Sequence, residues 1–367
     1  MSRWAVSSVW LTLACSIQPR VVEERGIGDN PSLLGGSSGS GGGASAGSPG
    51  RAGAPSKLPE VPEPLSPKFK NGDPCESLGV YDDTGSGGDG GETGCGGGCP
   101  TPVIAKGISP GSPVVSRDEV FWSDRGNLLL RTGVDGQMTE MVATLSSPIT
   151  GLAVDASRVY IQTETTISRV ARGGGEVQVL ASDQVARGLA LDRAHVYWLS
   201  VKQGRTSLRR YSLVRGTSEV RAELPSFPLA ITLDDQNVYV LGKHEVLKLP
   251  KCEEGEVVLA SSEGLGGGIA ADAGYVYWSD GEAVQRVPRA GGAPEFVATV
   301  RDGHFVVSDS FLYGAGEVGQ GELLRWPVTG GAAQVHADDL ANPIAFDSDE
   351  TSVYFMNGQQ IRKVEKK

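Results

Sequence analysis

The chain has 367 residues, with 33 Lys and Arg against 44 Asp and Glu, and a formal net charge of −11. Its 52 glycines are about twice the ~7% share that is average for proteins, and they are concentrated in residues 26–55 and 85–98. No stretch of Lys and Arg forms the basic stripe that neutralises a phosphate backbone, so the sequence argues against a nucleic-acid partner.

Residues 1–15 have the features of an export signal. Arg3 supplies a positive start, residues 4–14 are mostly apolar or small, and Cys15 follows directly. The apolar stretch is too short for a transmembrane helix, which needs about 20 residues. Ala14 followed by cysteine resembles the lipobox of bacterial lipoproteins, which implies an acylated Cys15 as the only membrane contact. The alternatives are a plain signal peptide or a wrongly assigned start codon.

Residues 16–100 are predicted to form a disordered tether. Gly and Ser dominate residues 34–43, and prolines recur between residues 59 and 67. Such a composition buries too little apolar surface to offset the entropy lost on ordering. We expect a spacer that holds a folded domain away from a membrane anchor.

Four cysteines remain after Cys15, an even number that suits an oxidising compartment. The disulfide candidates are Cys75, Cys95, Cys99 and Cys252. Their three connectivities stay open, and a bond from Cys252 to one of the others would attach the tether to the folded domain. A zinc site needs a second close Cys or His pair, and no histidine precedes residue 195. The acidic run 82–89 lacks the ligand spacing of an EF-hand, so no metal and no cofactor is predicted.

Two residue ladders reveal seven internal repeats in residues 101–367. An aromatic recurs every 36 to 42 residues within a short apolar run, at Phe121, Tyr160, Tyr197, Tyr239, Tyr277, Tyr313 and Tyr354. A cation recurs in the same register two residues after an aliphatic one, at Arg131, Arg169, Arg210, Lys248, Arg286, Arg325 and Lys363. This period is typical of one propeller blade.

The second repeat shows the plan of a blade. It contains four short apolar runs, at 151–155, 159–163, 167–171 and 177–181, with a Gly-rich turn before the last. The seventh repeat ends after its third run, and residues 102–106 resemble the missing outer strand. The sequence therefore predicts an all-β domain, a seven-bladed β-propeller with four-stranded blades, closed by strand 102–106.

The segments Phe121-Trp122-Ser123-Asp124 and Tyr277-Trp278-Ser279-Asp280 are each followed by an aliphatic-x-Arg strand. They resemble the YWTD repeats of low-density-lipoprotein-receptor propellers and bacterial extracytoplasmic propellers, many of which are lipoproteins. Classical YWTD propellers have six blades, whereas this chain has seven repeats. The resemblance implies an extracytoplasmic protein: a bacterial outer-membrane or cell-surface lipoprotein, or a secreted one.

The most regular residues are interpreted as structural. Seven cations around a ring could line a funnel for an anion, but a residue repeated in every blade more often solves the same packing problem in each. The same holds for aspartates predicted to bond the backbone at the turn after each inner strand. These are Asp155, Asp192, Asp234, Asp272, Asp309 and Asp347.

Function is therefore sought in the loops that differ between blades. Loops before the inner strands and turns between second and third strands open on one propeller face. The candidate ligand-binding residues there are Asp124, Glu164, Lys202, Phe227, Lys243, His244, Asp280, Asp302 and His304. No hydrolase elbow, phosphate loop, metalloprotease helix or dinucleotide fingerprint is present. We expect a monomeric binding or scaffolding module for a protein, carbohydrate or small ligand. The alternative is a propeller lyase or lactonase with acid/base residues at the channel mouth.

Overall fold

The computed structural model describes residues 99–182, 185–263, 267–316 and 321–366. The predicted export signal, Cys15, Cys75, Cys95 and nearly all of the tether lie outside these residues. The described strands form seven four-stranded antiparallel sheets, arranged as the blades of a propeller ring. The predicted all-β, seven-bladed fold is confirmed. No helix among the described residues is long and apolar enough to cross a membrane.

The strands follow one another in blade order, and each blade runs from its innermost to its outermost strand. The first strand is β1 (Val103–Lys106). Blade 1 has β2 (Val114–Ser116), β3 (Glu119–Asp124), β4 (Leu128–Gly133) and β5 (Glu140–Thr144). Blade 2 has β6 (Ile149–Val154), β7 (Arg158–Thr163), β8 (Ile167–Ala171) and β9 (Gln178–Ala181). Blade 3 has β10 (Val185–Leu191), β11 (His195–Lys202), β12 (Arg205–Ser212) and β13 (Thr217–Glu223).

The remaining blades repeat the pattern. Blade 4 has β14 (Pro228–Leu233), β15 (Asn237–Gly242), β16 (Glu245–Pro250) and β17 (Val257–Ser261). Blade 5 has β18 (Ile269–Ala271), β19 (Tyr275–Asp280), β20 (Ala283–Pro288) and β21 (Glu295–Thr299), followed by a 3₁₀ helix at Arg301–Gly303. Blade 6 has β22 (Phe305–Ser308), β23 (Phe311–Ala315), β24 (Leu323–Pro327) and β25 (Gln334–Ala337). Blade 7 has β26 (Pro343–Ser348), β27 (Ser352–Asn357) and β28 (Gln360–Glu365).

The aromatic ladder forms the core between blades. All seven of its rings lie on second strands and are at most 1% exposed. Each apolar cluster joins side chains of neighbouring blades, as where Tyr239 of blade 4 packs with Val276 and Trp278 of blade 5. Full burial of one large apolar side chain is worth about 1.5–3 kcal/mol, so these rings hold adjacent blades together.

The N-terminal strand closes the ring. β1 pairs antiparallel with β28, with Val103 opposite Arg362 and Lys106 opposite Gln360. Ile104 is 4% exposed and packs against blades 1 and 7. Blade 7 therefore takes its outer strand from the beginning of the domain, which leaves no gap between the first and last blades.

The cation ladder has the structural role predicted for it. Five of its members donate to a Glu or Gln nine positions along the chain: Arg131 to Glu140, Arg169 to Gln178, Arg210 to Glu219, Arg286 to Glu295 and Arg325 to Gln334. Val257 stands opposite Lys248, so this ammonium donates to the Arg289 carbonyl of blade 5 at 2.9 Å. Lys363 donates to the Val134 carbonyl of blade 1 at 2.6 Å.

Four of the predicted turn aspartates accept backbone N–H bonds from the residues two and three positions on: Asp155, Asp192, Asp234 and Asp272. The second carboxylate oxygen of three of them also accepts the hydroxyl of the ladder tyrosine five positions on: Asp155 with Tyr160, Asp234 with Tyr239, and Asp272 with Tyr277. One carboxylate thus fixes both the turn and the side chain of the buried tyrosine.

Asp309 lies at the predicted turn but makes no such backbone bond among the described residues, and the turn prediction is wrong for Asp347. In blade 7 the position five residues before Tyr354 is Asp349, which accepts the Tyr354 hydroxyl at 2.7 Å. Asp347 lies two residues earlier, on the innermost strand. In blade 6 the equivalent position is Ser308, and the following Asp309 has a φ of 55° and pairs with Lys366 at 3.6 Å.

A second set of cations, which the sequence reasoning missed, joins neighbouring blades. Each lies three residues after a ladder cation and reaches the turn or second strand of the preceding blade. The pairs are Arg172 with Glu119, Lys251 with Asp192, Arg289 with Asp234, and Lys366 with Asp309. Desolvation opposes the charge of Asp192, but the Lys251 ammonium outweighs it and holds the pKa of this carboxyl below its usual value.

Candidate binding face

One face of the ring carries the irregular loops and is called the top face. It contains the loops that connect each outer strand to the next inner strand, together with the turns between second and third strands. Backbone N–H groups of the connecting segments donate to those turns: Gly107 to Gln359, Leu145 to Asn127, Ala186 to Glu164, Leu224 to Thr206, Ser262 to His244, Val300 to Glu282, and Leu340 to Gly321. The opposite, bottom face carries the turns after the inner strands and the outer hairpins.

The central channel has an apolar wall. The seven innermost strands are β2, β6, β10, β14, β18, β22 and β26, and only two charged side chains occur on them, Arg187 and Asp347. The first or second residue of each of these strands is apolar and at least partly exposed: Val114, Ile149, Val185, Leu229, Ile269, Phe305 and Ile344. These seven side chains are called the apolar ring.

Arg187 and Phe227 form a stacked pair where blades 3 and 4 meet at the top face. The guanidinium carbon of Arg187 lies 5.1 Å from the centroid of the Phe227 ring. Phe227 is 39% exposed, and Arg187 is exposed as well. A guanidinium that rests on an aromatic face keeps its N–H donors directed sideways and outward, which leaves them available to an anion.

Several candidate residues gather around this pair. Lys243 donates its backbone N–H to the Phe227 carbonyl at 2.9 Å, and His244 follows it in the same turn. Lys202 pairs with Arg205 at the tip of the β11–β12 hairpin, next to the Val185–Val201 pair. The structure therefore brings Lys202, Phe227, Lys243 and His244 together on blades 3 and 4, and adds Arg187 and Arg205. These six residues are called the blade 3–4 patch.

The cations of this patch have no ion-pair partner among the described residues. Within residues 99–182, 185–263, 267–316 and 321–366, no carboxylate lies within 4.0 Å of Arg187, Lys202, Arg205 or Lys243. The interblade cations of the bottom face, by contrast, are all paired. The sequence reasoning missed Arg187 and Arg205, although Arg187 could have been found as the one cation within an inner-strand pattern.

Two candidate carboxylates are occupied by the backbone. Asp124 accepts the N–H groups of Ile108 and Ser109 at 3.0 and 2.8 Å. Asp280 accepts the N–H of Glu263 at 2.9 Å. Both belong to the YWTD-like segments, and both fix the loop that leads into the inner strand of their own blade. This geometry gives them a positioning role.

The other candidates lie apart from the patch. Glu164 is exposed in the turn of blade 2, while Asp302 and His304 are exposed on the loop that leads into blade 6. Blade 5 separates these last two from the blade 3–4 patch. Arg301 beside them is buried and donates to the Pro343 carbonyl at 3.2 Å, which anchors the loop.

The part of the chain that the structure describes holds no candidate metal site. No group of three or more His, Cys, Asp or Glu side chains there is placed to hold a metal ion. Burial lowers the pKa of His195 and of His336, and the His336 ring bonds the Glu365 carbonyl at 2.8 Å. Only His244 and His304 reach the top face.

Asp347 is the second charged side chain of the channel wall. It accepts the backbone N–H of Val115 at 2.7 Å, across the junction of blades 7 and 1. Desolvation raises the pKa of this carboxyl to about 7, against a usual value of 3.8. Its bonds to the backbone make it part of ring closure.

Cavities of ≈ 470 and ≈ 380 Å³ lie at the bottom face of blades 1 and 2, away from the patch. The first is lined by Glu119, Arg131 and Glu140, and Arg131 forms ion pairs with both carboxylates.

The two described cysteines lie on different blades. Cys99 donates its backbone N–H to the His336 carbonyl and packs against blades 6 and 7. Cys252 is exposed on the β16–β17 hairpin of blade 4. Disulfide bonding requires Cα atoms within about 7 Å, and blade 5 stands between these two, so the Cys99–Cys252 pairing is excluded.

No protein-family model matches the chain, and no curated protein matches it. Solved structures show the likeness instead. The extracellular domain of a hybrid two-component system from B. thetaiotaomicron is 13% identical with a TM-score of 0.56, over 72% of this chain and 40% of that chain. PorZ, a surface component of the type-IX secretion system of Porphyromonas gingivalis, is 11% identical with a TM-score of 0.53, over 72% and 38%.

An oligogalacturonate lyase in complex with manganese is also similar, at 11% identity and a TM-score of 0.51, over 68% of this chain and 86% of that chain. The chain spans 40% or less of the two bacterial surface proteins. At such identities the likeness establishes the propeller fold alone.

Proposed function

We propose that the protein is an exported binding module that holds a macromolecular partner on its top face, at blades 3 and 4. The observation that carries this proposal is the stacking of Arg187 on the exposed Phe227 ring, at the mouth of a channel whose wall is otherwise almost free of charge. Aromatic and Arg side chains of this kind dominate the binding energy of protein interfaces. Loops on a rigid scaffold are where such residues concentrate.

The hydrogen bonds that occupy the candidate carboxylates favour a binding function over a catalytic one. Asp124 and Asp280 are engaged by backbone N–H groups, and the described residues hold no cluster of His and carboxylate side chains that could bind a metal. Acid/base chemistry needs such groups within hydrogen-bond reach of one substrate atom. Asp347, the channel-wall carboxyl whose pKa is raised, is likewise engaged by backbone N–H groups, those of Val115 and Ser348.

An extracytoplasmic location fits this proposal. Residues 1–15 have the pattern of an export signal, and the Gly-, Ser- and Pro-rich tether suits a spacer between an anchor and the propeller. Two similar propellers are described as an extracellular domain and as a bacterial surface component. We propose that the protein lies at the bacterial outer membrane or cell surface and is anchored through Cys15. We also propose that the other cysteines form disulfide bonds and that the repeats are of the YWTD kind.

The proposal is tested by photo-crosslinking in cells of the source organism. A photoreactive amino acid replaces His244 on the top face in one strain and Arg215 on the bottom face in another. Both positions are exposed, and neither lies in a buried contact. We expect a discrete higher-mass adduct from position 244 and none from position 215. Equal adducts from both positions, or none from position 244, would contradict the proposal.

A further inference from the structure

We infer that the partner docks through an acidic protein segment that also carries apolar side chains, and that this segment lies across the blade 3–4 patch and the neighbouring apolar ring. The inference rests on the proposed function and adds the chemistry of the partner. It follows from three features of the described residues: the orientation of Arg187, the unpaired cations, and the apolar ring.

Arg187 is positioned to bind a carboxylate. Its guanidinium is stacked on Phe227, which fixes the plane of the group and lowers the entropy that binding would cost. Carboxylates accept two parallel N–H bonds from a guanidinium held in this way. No internal carboxylate within the described ranges supplies them.

The cations around Arg187 also favour a partner that carries carboxylates. Lys202, Arg205 and Lys243 are exposed and unpaired among the described residues, whereas the protein as a whole has a net charge of −11. The exposed carboxylates of the neighbouring loops are Glu164, Glu223 and Glu263, of which Glu263 follows Ser262, the donor to the His244 carbonyl. Glu245 is engaged by the Ser226 hydroxyl. The patch therefore attracts acidic groups on a protein that otherwise repels them.

The apolar ring favours a peptide over an acidic polysaccharide as the partner. Val185 is 40% exposed beside Arg187, and Leu229 and Ile269 are half-buried apolar side chains on the inner strands of blades 4 and 5. A polyuronate chain would satisfy the cations but would leave this surface without a partner. A protein segment supplies carboxylates and aliphatic side chains together, so it matches both parts of the face.

The experiment is a selection of displayed random 12-residue peptides against the purified full chain. We expect enrichment of sequences that combine Asp or Glu with Leu, Ile, Val or Phe. One such peptide, synthesised, should bind with an affinity that falls at least about tenfold in R187A and in the double variant K202E/K243E. The double variant R117E/R215E changes the charge equally on the bottom face, and its affinity should stay within about twofold.

Each other outcome has one meaning. Enriched peptides that are neutral or basic, no enrichment, or equal loss of affinity in both double variants would overturn the inference. Tight binding of polygalacturonate or of anionic lipid vesicles, with no peptide enriched, would replace the peptide by another partner. In that case a crosslinked adduct at position 244 would still support the proposed function, which fails only if the crosslinking experiment fails too.

Discussion

Asp347 and Ala345 lie on the innermost strand of blade 7, where the regular repeat breaks down. Asp347 places a desolvated carboxylate beside the junction with blade 1. Ala345 has a φ of 54°, in the left-handed region, and Gly188 occupies the same position of blade 3 with a φ of 57°. Both features lower the stability of the ring at the point where it closes.

The Asp347 carboxyl should make stability depend on pH. Its pKa is about 7 in the folded protein and near 3.8 when unfolded, so the folded state holds the proton more tightly. The free energy of unfolding should therefore fall as pH rises from about 4 to 7. Asp347→Asn keeps an oxygen for the Val115 N–H and removes the charge. Thermal unfolding should show a higher Tm for the variant at pH 8 and a small difference at pH 4; equal gains at both would contradict this assignment.

Ala345→Gly should stabilise the protein. The left-handed region costs an L-residue about 1–2 kcal/mol, which glycine avoids at a smaller cost in chain entropy, so the expected net gain is about 0.5–1 kcal/mol. Ala230 stands at the equivalent position of blade 4 without a positive φ. Ala230→Gly should therefore lower the free energy of unfolding by a similar amount in urea denaturation. If both substitutions shift the free energy of unfolding in the same direction, the positive φ of Ala345 does not destabilise the protein as we expect.

At the scale of strands and turns, the sequence predicts those features of a blade that recur with a fixed spacing. The aromatic and cation ladders locate the second and third strands in every blade, because burial and cross-strand pairing impose the same residues each time. The aspartate position was misassigned in blade 7 because two aspartates lie near the end of its inner strand: Asp347 within β26 and Asp349 just after it. The five-residue spacing to Tyr354 identifies Asp349, since only that spacing allows the hydroxyl to reach the carboxylate.

Removal of β1 should destabilise the ring. Burial of Ile104 alone is worth about 1.5–3 kcal/mol, and blade 7 would also lose its outer strand, so deletion of residues 16–106 should lower Tm by at least about 5 °C. Deletion of residues 16–98 removes the tether but keeps β1. With the full chain and both deletions reduced, so that loss of Cys75 and Cys95 does not enter the comparison, it should leave Tm almost unchanged. A similar loss in both deletions would show that β1 is not what closes the ring.

At the scale of the whole molecule, the candidate site could be predicted only in part. The top face followed from the order of loops, and the sequence located Lys202, Phe227, Lys243 and His244 on it. The contact of Arg187 with Phe227 could not be predicted from the sequence, because Phe227 lies 40 residues away on the next blade. Its isolation on an apolar channel wall is likewise a property of all seven inner strands together.

The positions of Cys99 and Cys252 restrict the disulfide bonds that we propose. Because Cys99 lies beside blade 6 and Cys252 on blade 4, two bonds among the four cysteines require Cys252 to pair with Cys75 or with Cys95. Mass spectrometry of peptides from the unreduced, exported protein should find one of these two links. A peptide that joins Cys99 to Cys252 would contradict the arrangement of blades.

The central claim is that partner binding is confined to one sector of the top face. The most direct measurement places the photoreactive amino acid in turn at exposed top-face positions of six blades: Arg125, Thr165, Gln203, His244, Glu282 and Gln359. We expect the adduct yield to be highest at positions 203 and 244, on blades 3 and 4, and to fall to background at position 359 on blade 7. A uniform yield around the ring, or a maximum on blade 7 or blade 1, would contradict it.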